Sequence, residues 1–480
     1  NATLADTSGL GYQFFNVTDT RNIQVRSDSY AFAVGGDYQD KYILDMVVRY
    51  DGSSLFGSQE RWQWFSRVSA AWRLTEDFDI PGFQELKLSA SLGTAGGRPL
   101  FNDRFEIANV ANGLISFPQQ LANPNLKPNI TTETELTLAG EFLDKFDLLV
   151  SYSEQENRDQ VLTVPISVAA TGGRSTQVQN AATLSTNSFE LTLGYQAIKT
   201  NEIGLRFDIV ADRTKQTITE FNAPQVLAAG AGIWREGSEL TQMYGRKYAK
   251  SLSDLTVDEN GIVLNGQFAG LGNTSTIDDY EINDLGFVIP VGTQYTNNER
   301  VVPFVNELGE EEQELVIGNA RPDLNLGLRT GFSYKNINIY MLWEAQIGGD
   351  VYNSGLQALD RDGLGPDYDQ ADRPEGQRHW TAFRQSIYNG RRLNSEYVED
   401  ASHIRLRELS VHYAVGSSQL DKIGMSNVFN KVQFSFIANN LLLAAKYRGF
   451  DPTDGGINAR FDGYGFPLIR TFSGSVSLSF

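Results

Sequence analysis

The chain has no cysteine, which excludes disulfides, thiolate catalysis and thiolate metal sites. It has only three histidines, His379, His403 and His412. None lies in an HExxH pattern or beside a nucleophile motif, and His403 and His412 fall in one strand as wall residues. No stretch approaches the roughly 18 uninterrupted apolar residues that a membrane-spanning helix needs. Basic residues are in deficit, 40 Lys and Arg against 59 Asp and Glu, for a net charge of -19. Phosphate binding needs a basic stripe, so nucleic acid is not an expected partner. Residues 1–13 lack the basic start and apolar stretch of an export signal and read as an internal start.

What the chain does have is alternation. In the final segment Leu468, Phe472, Val476, Leu478 and Phe480 share one parity, while Thr471, Ser473, Ser475, Ser477 and Ser479 take the other. Successive side chains of a strand point to opposite faces. The same contrast recurs at Tyr42, Leu44, Met46, Val48 and Tyr50, at Phe146, Leu148, Val150 and Tyr152, and at Ile337, Ile339, Met341 and Trp343. The opposite parity is polar, as at Glu133, Glu135 and Thr137 or Arg206 and Asp208. Such a wall has lipid on one side and water on the other, which predicts an all-β transmembrane antiparallel β-barrel. The aromatic content of 11% suits girdles at the two membrane interfaces.

About thirteen strands are expected, each near the 9–11 residues that cross a membrane at a tilt. Short connections fall at Gln39–Lys41, Leu143–Lys145, Thr200–Glu202 and Lys335–Asn336. Long ones fall near 94–130, 158–186, 214–323, 349–401 and 445–467. Short turns belong on the periplasmic side and long loops outside, which puts Phe480 at the periplasmic end. The parity break between Leu406 and Leu409 predicts a bulge at Arg407–Glu408, where Arg405 and Glu408 could pair.

No catalytic constellation emerges, so the chain is not read as an enzyme. One loop could hold a cation. Asp360-Arg361-Asp362-Gly363 opens like a calcium loop and is followed by Asp367, Asp369 and Asp372, but the later Glu is missing and Arg361 sits inside. Calcium here and a solvated acidic loop are both open, and no cofactor is required. The two longest loops are strongly acidic. Thr214–Asp323 holds 17 acidic and 7 basic residues, and Gly349–Ala401 holds 10 and 6. A polyanionic cargo would be repelled there, so neutral glycans or peptides fit better. Trp234, Tyr244, Tyr352, Tyr368, Trp380, Tyr388 and Tyr397 in these loops could stack on sugar rings, meet a lid protein, or pack within the loops.

Several ordered motifs go beyond alternation: Arg49–Gly57 (RYDGSSLFG), Asn123–Asn129 (NPNLKPN), Ile317–Gly327 (IGNARPDLNLG), Glu399–Tyr413 (EDASHIRLRELSVHY), Ala438–Leu443 (ANNLLL), Asp451-Pro452, and the closing GFPLIRTFSGSVSLSF. Together they resemble the C-terminal barrel portion of SusC-like (SusC/RagA family) TonB-dependent outer-membrane transporters of Bacteroidota, over essentially the whole chain. The resemblance implies that residues 1–480 are about 13 C-terminal strands of a barrel of about 22. The N-terminal plug, the TonB box and the first strands have no counterpart here. It further implies an integral outer-membrane location, TonB-dependent import of oligosaccharides or oligopeptides, contact with the TonB complex, and a SusD-like surface lipoprotein as lid. Phe480 then resembles the C-terminal signal read by the barrel-insertion machinery. The alternatives are a surface-binding or secretion-associated barrel without import, and a passive porin.

Overall fold

The structure, a computed structural model, describes residues 2–4, 15–17, 24–57, 60–106, 109–111, 114–227, 232–455, 461–463 and 466–480. Thirteen strands run in chain order, each antiparallel to the next. They are β1 (Ser27–Tyr38), β2 (Tyr42–Ser53), β3 (Trp62–Arg73), β4 (Phe83–Gly97), β5 (Asn129–Phe142), β6 (Phe146–Pro165) and β7 (Thr176–Lys199). Then come β8 (Ile203–Phe221), β9 (Leu324–Tyr334), β10 (Ile337–Ile347), β11 (His403–Gly416), β12 (Lys431–Ala445) and β13 (Thr471–Ser479). One short strand, Gln120–Leu121, joins β7 in parallel.

The expected barrel is not what the chain forms. β13 bonds only β12 and β1 bonds only β2, so among the described residues the sheet is open at both ends. Closure requires the first and last strands to meet with a matching stagger. Alternation sets which face a residue takes; it does not set which strands are neighbours at the ends. The chain is therefore a large open antiparallel sheet.

Strand length also departs from expectation. β6, β7 and β8 hold 20, 24 and 19 residues. Pairing continues to Pro165↔Thr176, so only 166–175 of the expected 158–186 loop is a connection. Val164, Val178 and Ala181 are buried in this extension, and Val164 and Ala181 pack with Phe221 and Trp234. These strands continue because a second layer, the folded loops, covers them.

The four short turns fall where alternation put them. The bulge is also present: Leu342 faces Glu408 and Trp343 faces Leu406, leaving Arg407 without an opposite residue. Gly52 lies inside β2 opposite Trp62. A Cβ there would meet the Trp62 ring at 2.7 Å, so close ring approach is what requires glycine.

Two aromatic clusters mark the apolar face. Near the short turns, Phe142 stacks on Phe146 at 4.8 Å and Phe146 on Tyr195 at 4.6 Å. At the other end, Tyr50 contacts Trp62 at 4.9 Å and Trp64 at 4.5 Å. Tyr42 and Tyr50 are eight residues apart on β2, roughly 27 Å along the strand, or about 21 Å of height at a tilt of roughly 40°, which lies within the apolar band of about 25 Å of outer-membrane walls. The opposite face is laced with polar bonds. The Ser151 hydroxyl donates to Glu135 Oε1 at 2.7 Å, Arg206 reaches Asp147 and Asp208, both at 2.7 Å, and Arg67 pairs with Asp45.

Candidate functional site

The long connections fold together into a body at the end of the sheet opposite the short turns. The 222–323 connection has its own core, with Ala249, Val288 and Val302 fully buried. A second cluster joins it to the 348–402 connection: Tyr248, Phe287, Ile289 and Val301 pack on Phe383 and Ile387. Phe383 and Ile387 lie on the inner face of α2 (Thr381–Tyr388). A third cluster brings in α1 (Ser354–Arg361) through Leu356, which packs with Met243, Tyr352 and Tyr397, and with Phe461 from the last long connection. Burying a large apolar side chain stabilises by about 1.5–3 kcal/mol, so these clusters make the loops a structured layer.

Buried charges lock the same joints. Arg246, 1% exposed, lies 3.1 Å from Glu311, and Arg392 approaches the same carboxylate at 3.2 Å. Burial pushes the Glu311 carboxyl above its ordinary range. His379 Nδ1 is 2.9 Å from Glu299 Oε2, and its Nε2 is 2.9 Å from Asp284 Oδ1. Asn283 Nδ2 also donates to Glu299 at 2.8 Å, and Arg373 reaches Asp284 at 2.5 Å. Burial would raise Asp284, but Arg373 and His379 outweigh it and hold the carboxyl below its usual range. No motif or spacing signals this network, because Glu299 and Asp284 lie 80 and 95 residues upstream of His379 in unpatterned loop.

The motif residues act mainly as joints. Arg321 Nε and Asn319 Nδ2 donate to Glu239 at 2.8 and 2.9 Å. Leu126 of NPNLKPN is fully buried, and its carbonyl accepts from Gly57 N at 3.0 Å. Arg405 does not pair with Glu408. It is buried against Asp451 at 2.7 Å and reaches Thr453 at 3.2 Å, which joins the Arg-rich strand to the later Asp-Pro. Arg407, pushed out of register by the bulge, makes a two-pronged bond to Glu344 at 2.6 and 2.9 Å.

The seven loop aromatics take different positions. Tyr244, Tyr352 and Tyr397 are buried. Trp234 is half-buried and packs against the extended ends of β6–β8. Tyr368 and Tyr388 are half-buried, and the Tyr368 hydroxyl donates to the Asp360 carbonyl at 3.0 Å. Trp380, 54% exposed, is the one of the seven that presents its ring to the outside.

The four aspartates of the candidate cation loop do not converge. Asp360 Oδ2 accepts from the Tyr397 hydroxyl at 2.9 Å. Asp362 is held by Arg361, both contacts at 2.6 Å. Asp367 faces Arg384 at 3.3 Å and Arg448 at 3.6 Å, and Asp369 accepts from Ala371 N at 3.1 Å. Among the described residues no three acidic or histidine side chains are grouped to hold an ion. With guanidinium groups already on two of the four carboxylates, the set does not fit a hard cation that wants six to eight oxygens. Instead Asp360, Asp367, Arg384 and Tyr397 line a cavity of about 270 Å3 that also takes in Lys250 and Glu396. On the other side of α1, Leu359, Phe450 and Asp454 line an apolar groove of about 680 Å3. Phe480, 79% exposed, lies at the short-turn end with its ring 5.1 Å from Phe429.

Residues 2–285 match the family described as TonB dependent receptor-like, beta-barrel. TonB-dependent receptor P26 of Formosa agariphila is 26% identical, over 97% of this chain and 48% of that protein. TonB-dependent receptor SusC of Bacteroides thetaiotaomicron is 22% identical, over 96% and 44%. Among solved structures, a chain of the RagAB peptide importer in its closed-closed state superposes with a TM-score of 0.69 at 18% identity, over 95% of this chain and 48% of that one. The chain thus spans about half the length of the relatives it matches.

Proposed function

The chain belongs to the TonB dependent receptor-like, beta-barrel family, and on that premise we propose that it forms the C-terminal wall and outer loop layer of a TonB-dependent importer of oligopeptides. It is an integral outer-membrane protein, and such receptors are transporters, not enzymes. The importer would be a polypeptide of the relatives' length, of which these residues supply the second half. A SusD-like lipoprotein would sit over the loop body as a lid, and the TonB complex would supply the energy.

The observation that carries this reading is the pairing of two features on one chain. A wall with one apolar and one charged, cross-bonded face ends in loops that fold into a consolidated layer. A passive pore needs only the wall. A layer fixed by one core inside the 222–323 connection and two apolar clusters shared between connections gives a cargo or a lid a defined surface. Oligopeptides are favoured because the RagAB chain that this fold superposes on comes from a peptide importer. The acidic loops support an uncharged or cationic cargo over a polyanion. Oligosaccharides are the competing cargo.

The test is uptake of labelled oligopeptides by cells carrying the full receptor, with and without TonB. Uptake that needs both supports the proposal. Binding without uptake would indicate a surface receptor. Uptake indifferent to TonB, with large steady conductance in a planar bilayer, would indicate a pore. Uptake of labelled oligosaccharides alone would reassign the cargo.

A further inference from the structure

The apolar face carries a recess near the short turns. The register places two rows across β1–β5. One runs Tyr38, Tyr42, Trp72, Leu88, Leu138; the next runs Gly36, Leu44, Ala70, Ala90, Leu136. Ala70 and Ala90 are directly opposed on neighbouring strands. The second row therefore drops from leucine to methyl-sized side chains and rises again at Leu136. The result is a groove of about 610 Å3, with Leu44, Trp72, Leu88 and Leu136 as walls and the two alanines as floor. It opens on the face that meets lipid.

The wall beside the turn is fixed. Asp77 accepts from the Tyr42 hydroxyl at 2.5 Å, from Trp72 Nε1 at 2.9 Å and from Lys41 Nζ at 2.9 Å. Phe78 backs the Trp72 ring at 5.7 Å. Trp72 and Tyr42 are thus held upright by a carboxylate at the membrane boundary, with an ammonium group beside them. Tyr, Trp and Lys are the residues that sit at the headgroup level of a bilayer.

We propose that this groove binds one acyl chain of a glycerophospholipid, with the lipid's phosphate at the level of Lys41. A fixed apolar recess in a lipid-facing surface surrounds a chain on three sides, so each methylene gains contacts that a flat wall does not offer. The groove continues the surface by which the protein already meets lipid. Short turns of outer-membrane walls lie on the periplasmic side, and the periplasmic leaflet is built of glycerophospholipid, which selects that class over lipid A.

Native mass spectrometry of the full-length receptor, purified from outer membranes and stripped of loosely held lipid by detergent, tests this. The wild type is expected to retain one phospholipid. A70L/A90L fills the floor and should lower retention at least about fivefold, an affinity change on the order of 1 kcal/mol. A345L, on the same face of β10, should leave retention unchanged. If A70L/A90L does not reach the outer membrane, A90V narrows the same floor and should lower retention by about twofold. A wild type without retained lipid, variants that retain it equally, or retained lipid A in place of phospholipid would each overturn the proposal.

Discussion

The Tyr397 hydroxyl donates to Asp360 Oδ2 across 2.9 Å, and the two residues are 37 apart in sequence. Both are buried where α1 meets the core of the loop body. An aromatic that reads as a cargo contact and a carboxylate that reads as a cation ligand satisfy each other instead. The bond joins the start of the 348–402 connection to its end.

That pair has a pH signature. Burial raises the Asp360 carboxyl above its ordinary value, and the Tyr397 bond offsets only part of the effect. Below the ordinary carboxylate range Asp360 is protonated in both folded and unfolded loops. As pH rises from there through the raised folded value, the unfolded state ionises first and the loop body loses stability. Asp360→Asn keeps an acceptor for Tyr397. It should slow proteolysis of the loop body at neutral pH and flatten its dependence on pH. Faster proteolysis of this variant at neutral pH would reject the argument.

Arg405 and Asp451 are buried together, 2% and 3% exposed at the side chain. Removing one partner strands the other without solvent. Arg405→Met should cost about 3–5 kcal/mol, whereas Arg405→Met with Asp451→Leu should recover most of that. A double-mutant cycle on thermal unfolding of the purified receptor gives the coupling, and two additive single effects would show that the pair does not act as a unit.

His379 ties the two longest loops through Glu299, which is fully buried. His379→Phe fills the space and removes the donor, leaving Glu299 with Asn283 and the Tyr295 backbone N–H. The expected loss is about 2–3 kcal/mol. Limited proteolysis should open sites in 222–323 and 348–402 together. Cleavage confined to one of them would mean that the apolar contacts of Phe383 and Ile387 are enough to join the loops.

Divalent cations should not stabilise the acidic segment. Arg361 already neutralises Asp362, and Arg384 and Arg448 face Asp367. Adding EGTA to the intact receptor should leave the rate of loop proteolysis unchanged, and a clear acceleration would restore a calcium role for Asp360, Asp362, Asp367 and Asp369.

Much of the wall was legible in the sequence because strand geometry is local. Side chains alternate with a period of two, so Tyr42, Leu44 and Met46 declare a face with no knowledge of their neighbours. The same rule located the short turns and the bulge at Arg407, where the parity slips. The ordered motifs identified the family, although their work as joints, such as Arg321 and Asn319 on Glu239, was visible only in space.

What the sequence determined, then, was the two-faced strand, its approximate count and its order. The tertiary structure alone decided that the sheet stays open, that β6–β8 run on past the expected loop starts, and that the acidic connections fold into a layer. These depend on contacts between residues tens to more than a hundred positions apart, such as Arg405 with Asp451 and Phe287 with Phe383. No periodicity records such contacts, because each is set by the free energy of burying or pairing groups that only the folded chain brings together.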